Sequence, residues 1–184
     1  MTCYCMIDKD DLRDFSELCF KDFGDRVKHW ITLKKPWTFS LGAYDQGGLV
    51  PGRCSKWVNE ACEAGNSATE PYIVAPHMLL SHAAAVKVYK AKYRSSQQGK
   101  IGVTLICHWM VPYSNQTADK KAAKRAFNFM FGWFMDPLTY GDHPHSMHIL
   151  AGNRLPNFTF EQSMLVKGSF DFLLIELLHN KLCS

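Results

Sequence analysis

The 184-residue sequence predicts an α/β fold built on a parallel sheet. Two observations carry that expectation. Runs with helical spacing alternate with strand-like runs in the order α-β-α-β-α-β, and the connections between strands are long enough for parallel crossovers. No internal repeat, low-complexity tract or domain-boundary linker interrupts the chain. A closed (β/α)8 barrel needs eight strands and typically about 250 residues. The predicted sheet is therefore either an open three-stranded one or part of something larger.

Leu12, Phe15, Leu18, Cys19 and Phe23 recur at helical spacing, and Gly24 closes that first helix. Val27-Lys28-His29-Trp30-Ile31-Thr32-Leu33 alternates like a strand. A loop rich in Gly, Pro and Cys is expected over about residues 36–66. Ser67-Ala68-Thr69-Glu70 reads as a capping box with Pro71 behind it, opening a long helix over 69–93. Pro76 falls inside and is expected to kink or restart that helix. Ile101-Gly102-Val103-Thr104-Leu105-Ile106-Cys107 is a buried strand, and a second helix covers about 118–134. The capping box Thr159-Phe160-Glu161-Gln162 opens the last helix, before a third strand starting at Phe170-Asp171-Phe172-Leu173.

The hydrophobic fraction is 47% and the aromatic fraction 13%, with five Trp and twelve Phe. That suits large packed layers or a cleft that stacks sugars. The net charge of +4 is mild. Lys120, Lys121, Lys124 and Arg125 read as one solvated helix face, so no nucleic-acid partner is expected. No stretch approaches the roughly 18 apolar residues of a membrane span, and the first residues lack the pattern of a signal peptide. Cys3 and Cys5 are too close for a zinc pair. Cys54 and Cys62 bracket a short loop, PGRCSKWVNEAC, which a bridge would staple. Asn115-Gln116-Thr117 and Asn157-Phe158-Thr159 are glycosylation sequons.

From DFSELCFKDFGDRVKHWITL onward the residues take on a recognisable pattern. That run, with KKPWTFSLGAYDQGGLVPGRCS, NSATEPYIVAPHMLLSHAAAVKVYKAKY, GKIGVTLICHWMVPYSN, FMFGWFMDPLTYGDHPHSM and NRLPNFTFEQSMLVKGSFDFL, resembles the plant-type family 1 glycoside hydrolases (β-glucosidases). The resemblance covers residues 10–173. It implies a partial (β/α)8 TIM barrel comprising about strands four to six with their helices, a non-matching lead over 1–9 and an aberrant tail over 174–184. It also implies secretory, vacuolar or extracellular ancestry, in keeping with a disulfide between Cys54 and Cys62, and it implies no cofactor and no metal.

The family hydrolyses β-glycosides with retention, using two carboxyl groups about 5–5.5 Å apart. Its acid/base Glu stands in a Thr-x-Asn-Glu-Pro motif, matched here by Thr32-Leu33-Lys34-Lys35-Pro36. Lys35 thus takes the acid/base position and Lys34 the neighbouring Asn position. An ammonium, with a reference pKa near 10.4, is poorly matched to acid catalysis at neutral pH. Nothing in the sequence matches the Thr-Glu-Asn-Gly motif of the nucleophile. After Gly168-Ser169-Phe170-Asp171-Phe172-Leu173 the pattern gives way to Leu174-Ile175-Glu176-Leu177-Leu178, as a frameshift, a retained intron or a truncated gene model would leave it. Glu176 lies in that tail and is not expected to replace the nucleophile.

Trp37, Thr38 and Gly42 after the first strand, and His108 and Trp109 at the end of the second, are implied to line the aglycone mouth, binding a β-glucoside weakly at most. His143, His145 and His148 cluster near Asp142, but as ordinary packed or surface residues rather than a metal site. His77 and His82 are expected to pack or cap. Three readings follow: an inactive relative of glycosidases, a working glycosidase whose Lys34-Lys35 pair is a reading error, or a non-catalytic module that self-associates or caps an intact relative through the exposed barrel interior.

Overall fold

The structure is a computed structural model that describes residues 9–183, with side chains through Leu178. Cys3, Cys5 and the rest of the lead before Lys9 lie outside the described residues. Helix α1 (Lys9–Phe23) leads to strand β1 (His29–Lys34), and helix α2 (Pro36–Tyr44) follows at once. Helix α3 (Glu70–Val88), a π-helical turn (Tyr89–Tyr93) and the short α4 (Arg94–Gln97) complete the first crossover to strand β2 (Lys100–Pro112). The second crossover holds α5 (Thr117–Phe127), a π-helical turn (Asn128–Gly132), α6 (Trp133–Tyr140), α7 (His145–Ala151) and α8 (Phe160–Val166). Strand β3 (Phe172–Cys183) then pairs with β2 along residues that had been expected to form an aberrant tail. The sheet order is β1-β2-β3, and both pairs are parallel.

Three local expectations are corrected. The stretch after Lys35 is the helix α2, not a loop. Pro36 sits at its first position, where the missing N–H costs nothing. Its segment PWTFSLGAY is apolar nearly all round, because Pro36, Ser40, Gly42, Ala43 and Tyr44 are all buried; such a helix shows no amphipathic period. Second, Ser67 does not cap α3. Its hydroxyl donates to Asp45 O and accepts from Ser55 N, and the Glu70 carboxylate is engaged by Arg53. Third, α3 runs unbroken through Pro76, whose neighbours Val74, Ala75, Met78 and Leu79 are buried; packing there outweighs one lost backbone bond. Helix α1 forms where the spacing and Gly24 predict it, burying Ser16 and Phe20 and leaving Phe15, Leu18 and Phe23 exposed. Phe20 fixes that helix by packing edge-on against Trp30 and Tyr89, with centroids at 5.1 and 4.9 Å. The capping box at Thr159 and Gln162 forms as predicted.

Helices α3 and α6 pack on the strands from one side. Leu33, Val103 and Leu105 join Val74, Met78, Leu79, Trp133, Phe134 and Leu138 in one core. Alternation along the strands and the register put Ile31, Gly102, Thr104, Ile106, Leu174, Glu176 and Leu178 on the opposite face. Ile31, Leu174 and Leu178 are 45%, 48% and 40% exposed there. The helical side is also incomplete, since Ile175 and Leu177 share the parity of Leu173 yet are 52% and 64% exposed.

Two polar anchors hold this layer together. His82, fully buried on α3, donates from Nε2 to Ser169 O at 2.6 Å and accepts at Nδ1 from the Thr32 hydroxyl. It thereby ties β1, α3 and the approach to β3. The Arg53 guanidinium forks onto Glu70 at 2.9 and 2.6 Å, with both side chains nearly buried. Beside it Cys54 and Cys62 are disulfide-bonded, with Cα atoms 5.6 Å apart. Gly65, at φ +132°, runs against them so closely that a Cβ would stand 2.5 Å from Cys54 N.

Truncating Arg53 would leave the Glu70 carboxylate buried and unpaired. Arg53→Ala is expected to destabilise the chain by about 3–5 kcal/mol, read as a lower urea midpoint; an unchanged midpoint would remove this pair from the account of the loop. Burial also pushes the pKa of His82 and of His143 down from 6.5 to about 4. Between those values the unfolded chain takes up protons that the folded chain refuses, so stability present above pH 6.5 is lost as the pH falls. At pH 5.5 each histidine is expected to cost about 1.4 kcal/mol relative to pH 7.5. Equal urea midpoints at the two pH values would contradict this.

Candidate functional site

Among the described residues, the C-terminal edge of the sheet presents one ion pair. Lys35 follows the last residue of β1 in a left-handed conformation, φ 53° and ψ 51°, and its N–H donates to Thr104 O at 2.9 Å. A non-glycine residue in that region stores about 1–2 kcal/mol of strain. Its Nζ meets Glu176 Oε2 at 2.5 Å. Glu176 stands opposite Ile106 in the register, so the pair reaches from β1 to β3 over the whole width of β2. That span is about 9.6 Å between backbones, two strand spacings, which a lysine and a glutamate together can bridge. Lys34 ends β1 opposite Thr104 with its side chain exposed.

The residues expected at the mouth separate. His108 and Trp109 lie on β2 where the register breaks, between His108 and Met110, and Trp109 is 58% exposed. Trp37 and Thr38 sit in the first turn of α2 and are half-buried. The Trp37 indole N–H donates to Phe129 O at 3.0 Å, which holds the ring in the helical layer. There it lines a cavity of about 190 Å³ with Asp45, Tyr72, Phe129 and Trp133. Burial pushes the Asp45 carboxyl above its ordinary range, against the lowering effect of the Ser67 hydroxyl. Gly42 is buried against Leu49, whose Cδ1 would lie 2.7 Å from an added Cβ.

The three clustered histidines have different environments. His143 is buried, stacks on Phe158 at 4.9 Å and donates from Nδ1 to Trp133 O at 3.3 Å. His148 pairs with Asp142 at 3.0 Å, and His145 opens α7. Among the described residues, no group of three His, Cys, Asp or Glu side chains could hold a metal ion. His77 binds Ile73 O within its own helix. Asn115 and Asn157 are both exposed in loops.

An ammonium locked to a carboxylate offers neither a free general acid nor a free nucleophile. The edge presents a polar ion pair, with Trp109 exposed further along β2. Sequence reasoning set Glu176 aside because its surroundings depart from the family's pattern. The signal that would have found its role is register: with β3 parallel to β2, the residue six after Phe170 falls beside the end of β1. The Arg53–Glu70 pair was missed as well, because Glu70 had been assigned to a helix cap.

Comparison with known proteins places the chain. The family model described as glycosyl hydrolase family 1 matches residues 7–184. The chain is 56% identical over 164 residues to rice "Beta-glucosidase 24" (Oryza sativa subsp. japonica), covering 89% of this chain and 32% of that protein. It is equally 56% identical to the "Cyanogenic beta-glucosidase" of Trifolium repens, covering 89% of this chain and 39% of that one. A crystal structure of a rice β-glucosidase superposes with a TM-score of 0.93 at 46% identity, over 96% of this chain and 38% of the other. A β-glucosidase from the fungus Humicola insolens, in complex with glucose, superposes at 0.90 with 36% identity, over 95% of this chain and 36% of its own. The chain thus spans about a third of the length of the relatives it matches. Three parallel strands with their crossover helices, superposing on part of these β-glucosidases, and a family match along nearly the whole sequence mean that the chain belongs to glycosyl hydrolase family 1.

Proposed function

We propose that this chain is a segment of a β-glucosidase barrel, comprising strands four to six, which does not itself hydrolyse β-glucosides. The observation that carries the reading is the Lys35–Glu176 ion pair. Retaining hydrolysis needs one carboxylic acid to protonate the leaving oxygen and a second carboxylate to attack the anomeric carbon. At the position that resemblance gives to the acid/base, this chain carries an ammonium, and the nearest carboxylate neutralises it. β-Glucosides remain the ligand class that relatives named β-glucosidases suggest. Trp109, His108 and the polar pair are the residues that would touch one. The exposed sequons and the disulfide fit a secretory ancestry.

A second reading, a non-catalytic module that pairs with itself or with an intact relative, is favoured by one observation. Ile31, Leu174, Ile175, Leu177 and Leu178 leave apolar surface on both faces of a sheet whose outer strands pair with no further strand among the described residues.

The purified chain is expected to release no 4-nitrophenol from 4-nitrophenyl β-glucoside above a mock purification. Loss of acid/base assistance alone costs about 10²–10⁴-fold. Turnover that copurifies with the chain and disappears on mutating Glu176 would overturn the reading. The paired variant Lys34→Asn, Lys35→Glu is expected to restore nothing, because it sets two carboxylates against each other without supplying the family's nucleophile. Since the ion pair is more than a third exposed, Glu176→Gln should lower stability by only about 0–1 kcal/mol. A much larger loss in a urea titration would assign the pair a structural role beyond the sheet edge.

A further inference from the structure

The outer surface carries a groove that the barrel chemistry does not use. It lies between the last turns of α3 with the π-helical turn Tyr89–Tyr93 on one side, and α8 with the Gly168–Ser169 turn on the other. Its volume is about 460 Å³, within the range of small-molecule sites. Both walls belong to this chain, so the groove does not depend on the incomplete sheet. Ala83, Val86 and Leu165 form an apolar floor, and Met164, 59% exposed, stands at one side.

Lys87, Lys90 and Lys167 line the same groove, and no carboxylate does. Lys90 leans across it, donating from Nζ to Gly168 O at 3.3 Å. A backbone carbonyl satisfies hydrogen bonding without cancelling charge. Gly168, at φ +71°, meets no described residue other than its chain neighbours within 4 Å of where a Cβ would stand, so the turn is open there. Three ammonium groups thus line one groove over an apolar floor, and an anion with an apolar body would meet both at once.

We propose that this groove binds an amphipathic anion, an alkyl or aryl chain ending in a carboxylate. The apolar floor takes the chain and the lysines take the head. A neutral molecule with the same tail leaves the lysines unpaired, and acetate leaves the floor open to water, so neither substitutes.

The full chain, irradiated with a diazirine-bearing aliphatic carboxylate and mapped by peptide mass spectrometry, is expected to carry label on residues 83–91 and 164–169. Octanoate should compete, while octanol and acetate at equal concentration should not. Raising salt from 50 to 500 mM should weaken competition. The exposed triple variant Lys87→Gln, Lys90→Gln, Lys167→Gln should raise the competing octanoate concentration at least about tenfold. Ala91→Phe, which fills the groove from an exposed position, should abolish the label. Label confined to the exposed sheet residues, equal competition by octanol, insensitivity to both variants, or no label at all would each overturn the proposal.

Discussion

Parallel pairing is the constraint on which the rest of this molecule depends. Two parallel strands cannot be joined by a tight turn, so each step across the sheet needs a crossover of a dozen or more residues. Here the crossovers run from Lys35 to Gly99 and from Tyr113 to Asp171, and they contain nearly every helix. Right-handed crossing sends both to the same side of the sheet. The core therefore forms on that side, where Val103 and Leu105 meet α3 and α6. On the other face Thr104 and Ile106 of the central strand are buried, while Ile31, Leu174 and Leu178 of the outer strands are exposed.

Within that layout the buried polar groups act as fasteners between crossover and sheet. His82 reaches Thr32 in β1 and Ser169 ahead of β3. The Asp171 carboxylate accepts from Ile101 N on β2 and pairs with Arg94 beyond α3. These contacts join segments far apart in sequence, and each satisfies a group whose burial without a partner would be costly. Lys35 and Glu176 make a similar junction at the open edge, with much less burial.

What could be read from the sequence divides along physical lines. The strands at Ile31, Leu105 and Phe172 and their parallel order were legible, because continuous apolar runs separated by long helical stretches leave few alternatives. The cap at Thr159 was legible because all its partners lie within four residues. Helix α2 was not, because burial on every side erases the period that marks a surface helix. Ser67 and Glu70 were misassigned because their true partners, Asp45, Ser55 and Arg53, come from a neighbouring loop that no local pattern encodes. At the sheet edge, resemblance identified Lys35 but could not supply its partner. The register of β3 is what brings Glu176 to it.

That register has its own significance. A strand normally declares which face is which by alternating apolar and polar residues, and a slip by one residue is then penalised by exposing the apolar set. From Phe172 to Leu178 the only polar residue is Glu176, and the apolar positions on both faces are exposed beyond Leu173. Burial therefore scarcely distinguishes the observed alignment of β3 from its neighbours. What marks the alignment is Asp171 at the start of the strand, bonded to Ile101 on β2 and paired with Arg94, while Glu176 in its middle adds an exposed contact to Lys35. Asp171 is thus the index mark for where the third strand stops sliding along the second, and the Lys35 contact is a second, weaker one.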